Sequence, residues 1–179
     1  MLDADDYVEL IEDHRRRKDA FFASDPSSPL TPAQLDAFEG LAYFPVDRAL
    51  RIVGELIPDP ERASVELQTT GGELQPHRRA GTVSFSVDGA QAIITLFEAE
   101  DGGFFVPFRD ATSGRETYGA GRYLEVRPVS EGSVTVDFNL AYNPYCAYNP
   151  HWTCPVPPAE NWLEVSIRGG ERSFPGAPE

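Results

Sequence analysis

The side chains best equipped for chemistry fall in two stretches, RDATSGRETYGAGRY at 109–123 and DFNLAYNPYCAYNPHWTC at 137–154. In the first, Gly114, Gly119 and Gly121 let a backbone come close to a ligand, as a cradling turn requires. Arg109, Arg115 and Arg122 offer planar guanidinium groups suited to a carboxylate or phosphate. Asp110, Thr112, Ser113 and Tyr118 add acceptors and hydroxyls. The same residues can instead form a tight turn that caps itself, with Arg122 in an ion pair. No Gly–Lys–Ser/Thr follows, and no dinucleotide fingerprint occurs.

In the second stretch, a strand through Asp137–Phe138–Asn139 would put Asp137 and Asn139 on one face and Phe138 on the other. The polar pair then either faces a cleft or braces the loop that follows, with Arg122 or Tyr142 as partners. Cys146, His151 and Cys154 are spaced Cys–x4–His–x2–Cys. Three zinc ligands are conceivable there, but the spacing matches no common finger and Pro150 and Pro155 stiffen the loop, so no metal is assigned. A disulfide, two packed thiols, or a thiol nucleophile beside His151 remain open. His14 falls on the apolar side of a helix, as a packed residue, and His77 in an exposed strand or turn. Trp152 and Trp162 suit a core better than a pocket.

These residues must be positioned by a mostly β scaffold. Tyr7, Leu10, Ile11, His14, Lys18, Phe21 and Phe22 recur at three- and four-residue steps and predict a helix from residue 3 to about 23. Arg15, Arg16 and Asp19 fall on its polar side, and HRRRK reads as a solvated face. Thr31–Pro32 opens a second, short helix. From Ala49 the apolar period changes to two, with turns at Gly71–Gly72, Asp88–Gly89, Asp101–Gly103 and Glu131–Gly132. Strands are also predicted at 123–127, 134–139 and 162–167. About nine short strands without a βαβ rhythm predict a mainly β (β-rich α+β) fold, either an antiparallel sandwich or a partly closed barrel. Asn–Pro pairs in the repeated AYNP of 141–144 and 147–150 predict an ordered loop. The chain reads as a single domain over 1–179, with a helical segment at 1–40 packed on a β domain at 49–171 and a loose tail at 172–179.

There are 29 acids against 15 bases, a net charge of −14, and Lys18 is the only lysine. That field repels phosphates and anionic membranes, so neither nucleic acid nor membrane is expected as a partner. Acids scattered along a lysine-poor chain predict adaptation to high salt, with stability that falls as salt is withdrawn. No stretch has the 18 apolar residues of a membrane span, and acids stand where a signal peptide needs bases. A cytoplasmic location is expected.

Asp–x–Thr–Ser–Gly, Thr–Tyr–Gly–x–Gly–Arg–Tyr, Asp–Phe–Asn and Cys–Pro–x–Pro–Pro follow one another between 104 and 171. That series resembles the domain-of-unknown-function family numbered 1684, a bacterial and archaeal group. The resemblance implies a shared fold and no mechanism. From the residues, the expectation is a small-ligand-binding β domain for an acidic metabolite, with no cofactor. Its site would draw on Arg109, Asp110, Ser113, Tyr118, Arg122, Asp137, Asn139, Tyr142 and Cys146. A hydrolase using Asp137 or a loop cysteine, or an interaction module without a site, are the alternatives.

Overall fold

The computed structural model describes residues 4–177. The period-two segments form β1 (Arg51–Glu55), β2 (Ile57–Pro58), β3 (Ser64–Gln68), β4 (Leu74–Val87), β5 (Ala90–Glu98), β6 (Phe104–Phe108), β7 (Arg122–Ser130) and β8 (Ser133–Asp137). They build one antiparallel sheet in the order β1-β8-β7-β6-β5-β4-β2, with β3 paired to the first half of β4. β1 and β2 are successive pieces of one run of chain. The first pairs with β8 and the second with β4, so this run draws the two ends of the sheet together. The result is a nearly closed barrel and not a sandwich.

The seam depends on close backbone approach. A β-carbon on Gly81 would sit 2.2 Å from the Ile57 carbonyl oxygen, and one on Gly54 would sit 2.7 Å from Val83. Inside, alternate residues such as Val83, Ile94, Leu96, Val106 and Phe108 are wholly buried. Each contributes roughly 1.5–3 kcal/mol of transfer free energy.

The first helix, α1 (Ala4–Ser24), lies against the barrel; residue 3, where the predicted helix begins, is outside the described residues. Tyr7, Ile11 and Phe22 are buried, as their spacing predicts, whereas His14 is exposed and not packed. HRRRK is not uniformly solvated. Arg15 donates to the Phe44 carbonyl (2.9 Å) and Lys18 turns to the barrel, while Arg16 and Arg17 stay outside near Asp13. Five successive residues exceed one helical turn, so some of the run must meet the packed face. The second helix, α2 (Pro32–Asp36), opens on Thr31 in a capping box with Gln34.

Trp152 and Trp162, expected in the core, are 43% and 53% exposed, and three further expectations fail locally. Residues 162–167 keep the predicted alternation, with Leu163, Val165 and Ile167 buried, but form no regular strand. Backbone bonds to Arg109 and Ala111 serve Leu163 and Val165, and side chains take over at Ile167: Asp110 accepts its N–H (2.6 Å) and Arg122 donates to its carbonyl (2.8 Å). The expected loose tail is partly packed, since Phe174 is buried between Phe38 and Tyr148; residues 178–179 lie outside the described residues. His77 is not exposed but half-buried against Phe97 and Phe105.

Candidate functional site

The nine residues expected to form one site are distributed over several clusters. Arg122, at the start of β7, is fully buried and faces Asp110 at 3.5 Å. Its guanidinium donates to the carbonyls of Ile167, Gly169 and Glu171. Asp110 accepts from Thr112 at 2.8 and 2.9 Å and from Ser113 at 3.3 Å, besides the Ile167 N–H. Burial pulls the Arg122 guanidinium below its ordinary value, and Asp110 opposes that. Both terminal nitrogens of Arg122 and both Asp110 oxygens are satisfied by the protein, and only the buried Arg122 Nε lacks a partner. These residues form the self-capped turn with an ion pair, and their product is a fixed course for residues 162–171.

Asp137 and Asn139 share a second cluster. Asp137 accepts from the Tyr7 hydroxyl at 2.8 and 2.9 Å and from the Asn139 backbone. The Asn139 amide donates to the Asp47 carbonyl (2.7 Å) and to Tyr7 (3.0 Å). Burial and Asp137 push the Tyr7 phenol upward, so it remains a donor. This network pins α1 to the end of β8.

Arg109 lies apart from both, stacked over the exposed Trp162 ring at 4.7 Å. Tyr118 donates to the Cys146 sulfur (3.8 Å), and Cys146 and Cys154 are free, buried and adjacent. The Cys146 N–H points at the Cys154 sulfur (3.4 Å). The Cys146 thiol and nearby N–H groups pull the Cys154 thiol down. His151 is exposed, and no group of three or more His, Cys, Asp or Glu among the described residues is placed to hold a metal.

What sequence reasoning missed lies under α1. A cavity of about 630 Å3 opens between this helix and the barrel, lined in part by Lys18, Arg15, Arg17, His14, Asn139, Tyr142 and Glu171. Its floor is the carboxylate of Glu171, which is only 1% exposed. That carboxylate accepts the Asn143 N–H (2.9 Å) and the Tyr148 hydroxyl, and pairs with Lys18. Gly170, at φ +73°, delivers Glu171 there, and a β-carbon on Gly170 would meet the Ala141 carbonyl oxygen at 2.3 Å. The Arg122 knot therefore supports this floor by holding the Glu171 backbone carbonyl (3.1 Å). Lys18 lies 4.8 Å from the Tyr142 ring centre and 5.5 Å from that of Phe22. Tyr142 in turn donates to Glu125 (3.2 Å). Partial desolvation of its ring against the cavity, then Lys18 and Arg17, depress the His14 imidazole although the residue as a whole is exposed.

Along α1 the walls carry Arg15, Arg17, Lys18, Arg51 and Arg127 against Glu125, Asp137 and Glu171, on a chain of net charge −14. Two of these cations are paired to acids outside the walls, Arg17 with Asp13 and Arg127 with Asp101. The signals available beforehand were the HRRRK run, Lys18 as the sole lysine in the chain, and Asn139 and Tyr142 among the expected site residues.

The model of a protein family of unknown function, DUF1684, matches residues 36–172. The solution NMR structure of an uncharacterized protein from Haloarcula marismortui is similar to this chain: 38% identical, covering 94% of this chain and 95% of that one, with a TM-score of 0.72. No curated protein matches. No helix among the described residues is long and apolar enough to cross a membrane.

Proposed function

The chain belongs to DUF1684, a family of proteins of unknown function, and we propose that it is a small-ligand-binding β domain whose site is the groove between α1 and the barrel. Of the expected site residues, Asn139 and Tyr142 line the main cavity and Asp137 lines its continuation. Asp110, Ser113 and Arg122 act as supports, and Arg109, Tyr118 and Cys146 lie off the groove. The ligand is a small acidic metabolite, and the setting is cytoplasmic and salt-rich. The observation that carries the reading is Lys18 beside the buried Glu171 carboxylate, within a cation-rich cavity of about 630 Å3. Ligand pockets commonly have that size and a few convergent polar groups.

The trial is a titration of acidic metabolites in molar salt, followed by calorimetry on each hit. At least one acid is expected to bind. Arg17→Gln, a change at an exposed side chain, is expected to weaken it about tenfold, the scale of one charge-assisted hydrogen bond. If no acid binds, or Arg17→Gln and Lys18→Met bind as the wild type does, the site is misplaced.

One observation favours thiol chemistry as a second reading: the depressed Cys154 thiol beside Cys146. Cys154 is 7% exposed, which slows attack on any substrate. Alkylation at neutral pH decides it, because a reactive nucleophile is modified within minutes in the folded protein and a packed thiol only on unfolding. The Asp137 version of a hydrolase is less favoured, since Tyr7 and Asn139 already occupy that carboxylate.

A further inference from the structure

The groove under α1 does not end at Lys18. Past His14 and Arg17 it continues into a second cavity of about 400 Å3, and His14, Arg17, Glu125 and Leu140 line both. The chemistry changes along this path. Leu10 of α1 and Val129 of β7 line the second cavity, 51% and 63% exposed, together with Ile11 and Leu140. Single exposed apolar side chains are ordinary, but two flanking one groove form a surface that gains from being covered.

The polar groups of the second cavity are largely engaged within the protein. The Tyr7 hydroxyl serves Asp137, and Arg127 is paired with Asp101. Besides Thr135, and the His14 and Arg17 shared with the first cavity, what the second cavity offers a ligand is mainly apolar: Leu10, Ile11, Pro128, Val129 and Leu140. At the Lys18 end the lining is cationic, with Lys18 paired to Glu171 and Arg17 to Asp13, so a ligand head shares these cations with the two carboxylates.

Resting on the reading above, we propose that the ligand is an acidic amphiphile. Its carboxylate or phosphate head meets Lys18 and Arg17, and its unbranched hydrocarbon tail passes His14 into the cavity flanked by Leu10 and Val129. Lys18 and Leu10 are eight helical steps apart, about 12 Å along the axis. A butyl tail stops short of that distance and a decyl tail reaches it.

The test is a homologous series of monoalkyl phosphates from butyl to decyl, each kept below its micellar concentration and titrated in molar salt. Affinity is expected to rise about fourfold per added methylene until the second cavity is filled. The double variant Leu10→Gln/Val129→Asn, which changes only exposed side chains, is expected to flatten that rise while leaving butyl phosphate binding unchanged. Arg17→Gln is expected to weaken all members alike.

Affinity independent of length, with the short members still bound, overturns the amphiphile and leaves the acidic-ligand reading intact. A length dependence that survives in the double variant overturns the placement of the tail. No binding by any member overturns both. Sedimentation with vesicles of an anionic phospholipid separates a free ligand from a lipid headgroup. The protein is expected in the supernatant, and its recovery with the vesicles would overturn the monomeric ligand.

Discussion

Arg122 and Asp110 illustrate how one set of residues can serve either a ligand or the fold. Their types and spacing were visible in the sequence, as was the alternative of a self-capped turn with an ion pair. Their choice was not, because it depends on where residues 162–171 run. Three backbone carbonyls converge on one buried guanidinium, and that guanidinium has no exposure left for a ligand. Removing one partner of a buried pair leaves the other charge uncompensated. Asp110→Ala is therefore expected to lower the unfolding free energy by about 3–5 kcal/mol, measured by chemical denaturation in molar salt. Stability near the wild-type value would mean that Arg122 is not held as described.

Among the elements, the local signals proved informative wherever turn chemistry and burial agreed. The hairpin at Asp88–Gly89 joins β4 to β5, and the Thr31 cap opens α2. Residues 162–167 deceived because alternation reports which side chains are buried, and says nothing of what satisfies the backbone. Closure of the barrel was equally hidden. It rests on β1 and β2 pairing with strands from opposite ends of the sheet, a long-range fact that no local pattern encodes. Gly81 carries that closure, so Gly81→Ala must push apart β2 and β4. A loss of about 1–3 kcal/mol is expected, the usual scale of overpacking. Hydrogen exchange should report it first at β2 and β4, and uniform protection across the sheet would contradict the seam.

For the whole molecule, the acidic surface and the cationic groove belong to one argument. A net charge of −14 repels anions from most of the surface, so a local excess of Arg and Lys stands out against it. The basic residues were legible as a run, HRRRK. Their role was not, because helical phase divides the run between solvent and barrel. Glu171 was likewise only an acid near the C-terminus until Gly170 and Arg122 placed its carboxylate beneath Lys18. The groove thus arises from the docking of α1 on the barrel and from neither element by itself.

The most direct measurement is an amide and side-chain chemical-shift map of the protein titrated with an acidic ligand that binds it. Perturbations are predicted to cluster at Arg17, Lys18, Asn139, Tyr142 and Glu171. A map centred on Arg109–Tyr118 or on Cys146 and Cys154, with α1 unaffected, would contradict the groove as the site.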